Sequence, residues 1–216
     1  MIDALRQKWD VLLRTWSVDP RLVDETFEDL CKQYSEPCCY YHTLVHIQDV
    51  LSHVEALSQH AQNLNAVKLS AWLHDVIYDP KSFDNEERSA AYAEVLCKKL
   101  SIPDGVSAAS LILKTKTHKA GNNPDAQVLV DADLAILGAN ESAYQTYADQ
   151  IRQEYAWVPG SEYRSGRIGV LRRFVARPRI FHLLGNLEVA ARRNLAAEFG
   201  RLRDGLAIPL NSEQIR

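Results

Sequence analysis

Apolar residues return every three or four positions along nearly the whole chain. Leu5, Trp9, Leu12, Leu13 and Trp16 form one such stripe, and Leu22, Val23, Phe27 and Leu30 form the next. That period lines up one face of an α-helix, and no stretch shows the strict alternation of a half-buried strand. Asp19-Pro20 reads as an N-cap followed by proline at the first helical position, and Ser101-Ile102-Pro103-Asp104 is a second start signal. Breakers stand at Glu36-Pro37, Asp79-Pro80, Gly121-Asn122-Asn123-Pro124, Pro159-Gly160 and Arg177-Pro178. The pattern predicts helices over 2–17, 20–34, 43–60, 64–78, 83–99, 104–118, 126–138, 141–157, 161–176 and 186–205. The expected fold is therefore all-α. Without a repeat, a low-complexity linker or a composition break, 1–216 is expected to be a single domain.

The net charge of −3 conceals an asymmetry. Residues 1–150 carry 13 Lys and Arg against 22 Asp and Glu, whereas residues 151–216 carry 12 Arg against 6 Asp and Glu. An acidic first part suits a metal, and a basic last part suits phosphate or internal ion pairs. The strongly basic domain of a dedicated nucleic-acid binder is absent, so nucleic acid is not an expected partner. Met-Ile-Asp-Ala-Leu-Arg lacks the basic-then-apolar pattern of a signal peptide, and no apolar run approaches a membrane span. Cys31, Cys38, Cys39 and Cys97 include no C-x-x-C pair, and two of them are adjacent, an awkward geometry for a disulfide. The expectation is a cytoplasmic protein with reduced thiols and no membrane partner.

Three segments look chemical. In Leu69-Ser70-Ala71-Trp72-Leu73-His74-Asp75-Val76-Ile77-Tyr78, an adjacent His and Asp sit amid apolar residues, and an ionised carboxylate buried there needs a cation or histidinium beside it. In Gln127–Leu137, Asp131 and Asp133 are two positions apart, about 200° around a helix, so only one faces a core. Asp133 has Leu129, Val130, Ile136 and Leu137 at i−4, i−3, i+3 and i+4, which predicts that it is the buried one and that Asp131 lies at the edge. Third, His42, His46, Asp49 and His53 fall at i, i+4, i+7 and i+11, one stripe of a helix if the helix begins that early. Further along, Thr115-Lys116-Thr117-His118 closes a predicted helix. Each feature also has a plain structural reading. A lone histidine is usually surface or hydrogen-bonded core, the reading preferred for His53 and His60. Asp75 or Asp133 taken singly could pair with a late arginine. Jointly, a His, a His-Asp doublet and a later buried Asp are harder to treat as unrelated. Mixed imidazole and carboxylate donors suit one divalent ion, Mn, Fe, Co, Ni or Zn, or Mg where water and phosphate complete the shell.

His46, His74-Asp75 and Asp133 resemble the H…HD…D signature of the HD superfamily of metal-dependent phosphohydrolases. The surrounding phrases, Tyr41-His42-x-x-x-His46-Ile, Leu73-His74-Asp75-x-x-Tyr78-Asp79, Asn85-Glu86-Glu87-Arg88-Ser89-Ala90, Asp131-Ala132-Asp133-Leu134 and Gly166-Arg167-x-x-Val170-Leu171, are similar to one bacterial branch of it. They span about 40–175, with helices 2–34 and 186–205 expected to pack on that core. The resemblance implies an HD-type helical bundle in which His46, His74, Asp75 and Asp133 bind one metal ion. A small residue precedes the last ligand in that family, as Ala132 does here. Only His118 lies between the doublet and Asp133, which favours one metal over two.

The implied activity is hydrolysis of a phosphate ester or anhydride in a small phosphorylated metabolite, a nucleotide first among the candidates, by water activated at the metal. Positions 76–78 are Val-Ile-Tyr where some members carry an acidic pair, so Asp75, Asp79 and Glu86 (or Glu87) are the candidates for handling the proton. His42, His118, Lys116, Arg164 and Arg167 are the candidate phosphate donors, against the plainer use of the late arginines in neutralising acids. No P-loop or G-x-G-x-x-G turn is present, so a nucleotide would be held by metal, arginine and aromatics such as Tyr41, Trp72, Tyr78 and Tyr155. A non-catalytic metal-containing binding or regulatory module is the alternative. The first 35 residues offer a candidate homodimer contact.

Overall fold

Helix α1, Ile2–Arg14, buries Leu5, Trp9, Leu12 and Leu13 on one face, and α2, Pro20–Gln33, buries Val23, Thr26, Phe27 and Leu30 on one of its own. The start of α2 follows its sequence signal, with the Asp19 side chain accepting from Arg21 N at 2.8 Å ahead of Pro20. In the computed structural model, which describes residues 1–203, eight more α-helices follow. They are α3 (Leu44–Ala56), α4 (Leu64–Leu73), α5 (Asn85–Leu100), α6 (Gly105–Thr115), α7 (Pro124–Leu134), α8 (Glu141–Glu154), α9 (Gly160–Val175) and α10 (Glu188–Arg203). All regular structure among the described residues is helical, as the apolar spacing predicts.

The chain divides into two compact units, Met1–Asp133 and Leu134–Arg216, the second described to Arg203. In the first, α3 packs on α4, α4 on α6, and α6 along α5. The last approach is close: a Cβ at Gly105 would lie 2.6 Å from Cys97 Cβ, so only glycine fits there. Trp72 of α4 is the hub of this core, its ring 5.3 Å from Trp9 and 6.3 Å from Phe27, and Tyr34 donates to the Trp72 carbonyl at 2.7 Å. Burying such rings contributes about 1.5–3 kcal/mol each. Trp72 is therefore a packing residue and has no face for a ligand. In the second unit, α10 packs on α9 and on the 3-10 turn Ala135–Gly138; the carbonyls of Leu137 in that turn and of Ala139 just after it accept from Asn194 Nδ2, each at 2.9 Å.

Several boundaries differ from expectation. The predicted helix 43–60 ends at Ala56 and continues as the 3-10 turn Ser58–His60. The predicted helix 64–78 stops at Leu73, and 104–118 stops at Thr115. Asn123 caps α7, its Oδ1 accepting from Ala126 N at 3.1 Å, so Asn-Pro marks a helix start here rather than a mere break. Asp104 does not cap α6 with its side chain; its carboxylate accepts from Asn63 Nδ2 at 2.6 Å and Trp16 Nε1 at 3.1 Å. Residues 204–205 of the last predicted helix lie outside the described residues. No described helix is long and apolar enough to cross a membrane, and all four cysteines are free thiols.

Candidate metal centre

Each histidine and aspartate of the first unit's cluster is delivered by a helix end. Thr43 is extended (φ −119°, ψ 178°) and caps α3 by accepting from Val45 N, so the helix begins at Leu44 and His46 lies in its first turn, buried. His42 consequently precedes the helix and the expected four-residue stripe does not form. Asp49 is exposed and His53 half-buried, outside the cluster. The doublet leaves the end of α4, where backbone bonding gives way to a clamp: Ile77 N donates to Ser89 Oγ at 3.1 Å, and that hydroxyl donates to Ile77 O at 3.2 Å. Ser89 is fully buried on α5; it lies within the phrase Asn85–Ala90 read from the sequence, but its contact with Ile77 is set by tertiary structure.

The reactive atoms converge. His46 Nε2 lies 3.1 Å from His74 Nε2 and 3.5 Å from Asp75 Oδ2, and His74 Nε2 lies 3.0 Å from Asp75 Oδ2. Asp133, in the last turn of α7, brings Oδ1 to 3.3 Å from His46 Nε2 and 3.6 Å from His74 Nε2. Donors held about 2.0–2.2 Å from one ion sit about 2.8–3.6 Å apart for bond angles between octahedral and tetrahedral. His46, His74 and Asp75 thus form a group able to hold a metal ion, with Asp133 Oδ1 alongside. The chemistry of the set fits as well. His74 Nδ1 lies 3.1 Å from the Ala71 carbonyl, an acceptor only, so Nδ1 carries a proton and Nε2 can present its lone pair to the cluster.

Electrostatics lean the same way. Burial opposes charge on Asp75, but the neighbouring histidines, His74 first and His42 next, hold its carboxyl far below the usual range. Partial burial likewise opposes charge on Asp133, but hydrogen bonds from His118, His46 and His74 hold it well below that range. Burial alone would lower the pKa of His74; Asp75 and Asp133 outweigh it and raise it well above the ordinary value. Two ionised carboxylates therefore favour positive charge at the point where the nitrogens meet. Among the described residues, every ion-pair partner of Asp75 and Asp133 is a histidine, so the arginine network considered from sequence is not the one these aspartates join.

The burial argument for α7 needs correction. Asp131 is fully buried and Asp133 keeps 13% of its side chain exposed, the reverse of the expectation. Val128, Leu129 and Val130 are all fully buried, so α7 is enclosed on several sides and its apolar neighbours do not mark one inner face. Asp133 is singled out by the histidines it meets.

The other candidates are placed as follows. His118 reaches the cluster from a left-handed backbone (φ 49°), with Nε2 2.9 Å from Asp133 Oδ2. His42 Nε2 lies 4.0 Å from Asp75 Oδ2, and its ring stacks on Tyr78 at 4.0 Å; Tyr41 lies 4.7 Å from the His46 ring. Lys116 is exposed and bonded to Glu87 and to the Phe83 carbonyl. Asp79 is exposed and accepts from Lys81 N at 2.9 Å, shaping the loop, while Glu86 is half-buried in the first turn of α5. Arg164 and Arg167 belong to α9 of the second unit. Arg164 is half-buried, and Arg167 is closed in a buried pair with Glu198, Nε to Oε1 at 2.7 Å and Nη2 to Oε2 at 3.0 Å. Comparison with protein-family models, with curated proteins and with solved structures finds no match.

Proposed function

We propose that the chain is a metal-dependent phosphohydrolase acting on a small phosphorylated metabolite, with a nucleotide as the leading substrate class. The observation that carries this reading is the convergence of His46 Nε2, His74 Nε2 and Asp75 Oδ2 from helix ends, with Asp133 Oδ1 facing both histidines. Asp133 Oδ2 faces His118, so Oδ1 would be the oxygen that Asp133 offers to a divalent ion. A divalent ion held there supplies Lewis acidity, polarising a phosphoryl oxygen and lowering the pKa of water. The resemblance to the HD signature supports the step from metal site to phosphate ester, a step that helical architecture alone does not license.

This chain's residues divide the remaining work. Asp75, held ionised among the histidines, is suited to orient the attacking water, whereas Glu86, at the start of α5, is the carboxylate better suited to take a proton from it. Asp79 suits that role less, because its carboxylate already accepts from Lys81 N. Tyr41 and Tyr78, half-buried beside His46 and His42, offer flat apolar surface for a base. Lys116, two residues from His118 and bonded to Glu87, is the candidate lysine for phosphate. The test is inorganic phosphate release from a panel of nucleotides and sugar phosphates with added Mn, Mg, Co or Ni. Metal-dependent release that is absent from His74→Ala supports the reading. A metal-loaded protein that releases phosphate from no member of the panel contradicts it.

A further inference from the structure

The two oxygens of Asp133 do different things. Oδ1 faces the two histidine nitrogens at 3.3 and 3.6 Å, while Oδ2 faces His118 Nε2 at 2.9 Å. At that distance the carboxylate oxygen accepts and the His118 Nε2–H donates. Both side chains are largely out of water, with 24% and 13% exposure, so the bond is little weakened by solvent.

The backbone that delivers this donor is unusual. His118 is one of three non-glycine residues with positive φ among those described, with Ser17 and Ser101, and each follows the end of a helix. Glycine ends a helix in this conformation at no steric cost, and a side chain there costs free energy. Ending α6 does not call for an imidazole; orienting Asp133 does.

We infer that His118 is a positioning residue that ties back one oxygen of Asp133, so that this aspartate offers a single oxygen to the metal and a coordination position stays open for water and substrate. A carboxylate with both oxygens free can grip a hard ion with the pair and fill that position. The inference rests on the reading that His46, His74, Asp75 and Asp133 hold a divalent ion, and it changes the expected part of His118 from phosphate donor to ligand support.

The test uses the full-length chain, titrated with Co(II) after chelation and followed by visible absorption, which reports both affinity and coordination number. His118→Gly keeps the left-handed backbone and removes the donor; His118→Gln keeps a side-chain N–H of similar reach. Expected results are Co(II) binding weakened about 10- to 100-fold in His118→Gly, with an altered spectrum, while its metal-free melting temperature is equal to wild type or higher. His118→Gln should recover most of the affinity and the wild-type spectrum. Wild-type affinity and spectrum in His118→Gly would overturn the inference, as would His118→Gln behaving like His118→Gly. Failure of the wild-type chain itself to bind Co(II) would overturn the metal reading and this inference together.

Discussion

Both units bury ionised side chains, and they solve the problem in opposite ways. In the second unit, Arg167 and Glu198 meet through two hydrogen bonds, Tyr144 donates to Glu198 at 2.6 Å, and Tyr147 lies 3.3 Å from Arg167 Nη1. Charge and geometry are satisfied internally, and nothing further is needed. In the first unit, donor atoms of ligand type gather within 3.0–3.6 Å around His46 and His74, and among the described residues no arginine or lysine pairs with Asp75 or Asp133. A closed pair of opposite charges is architecture, whereas a convergence of imidazoles and carboxylates is a group able to hold a cation. The difference separates structure from site without any appeal to sequence similarity.

The largest expected effect comes from removing a converging donor. Asp133→Ala should lose bound metal, while Asp131→Ala, two residues away, should keep it and lose about 1–3 kcal/mol of stability because Asp131 is fully buried and polar. Metal analysis with a urea melt of each variant checks both, and the opposite pattern would mean that Asp133 is not a ligand. Next comes the second unit. Glu198→Ala strands a buried guanidinium and should cost about 3–5 kcal/mol in urea unfolding with metal content unchanged. If the pair is only architecture, Arg167→Met, Glu198→Leu and Tyr144→Phe together should fold with stability equal to wild type or greater by about 1–4 kcal/mol. A large loss of stability there would show that the cluster does more than fill space.

The smallest effect concerns Tyr163. Its hydroxyl is buried with no hydrogen-bond partner among the described residues, so Tyr163→Phe should be neutral or stabilising by about 1 kcal/mol at pH 7. Burial also pushes this hydroxyl up to about 12. Ionisation is therefore penalised in the folded state. The stability involved is complete below the unfolded value of about 10 and lost as pH rises through about 12. Unfolding measured from pH 9 to pH 12 should show a shallower decline in Tyr163→Phe than in wild type.

Much of this was legible in the sequence. The ten α-helices among the described residues follow from apolar periodicity, and the Asp19-Pro20 cap fell where the residues put it. What escaped was set by tertiary contacts. Ser89 draws the chain out of helix just after His74-Asp75, which periodicity extends to residue 78. Thr43 caps α3 one residue beyond His42 and so takes that histidine off the helix. The placement of Asp133 depends on who its neighbours are in space, and the surrounding apolar residues, enclosed on several sides, misjudged it against Asp131. His118 stands out in the sequence as a candidate phosphate donor, but its contact with Asp133 gives no local signal, because a left-handed backbone is a conformation that sequence shows reliably only when glycine occupies it. Arg167, a candidate phosphate donor by its motif, has its guanidinium committed to Glu198, 31 residues along the chain.

The central claim is that the first unit's four donors hold a metal ion. The most direct measurement is the metal content of the wild-type chain, purified without chelators and then re-titrated with Mn, Co, Ni or Zn, beside His74→Ala under the same conditions. The account predicts one ion per wild-type chain and none above background in His74→Ala, with both proteins folded. A folded wild-type chain that binds no divalent ion, or a His74→Ala chain that binds as wild type does, would contradict it.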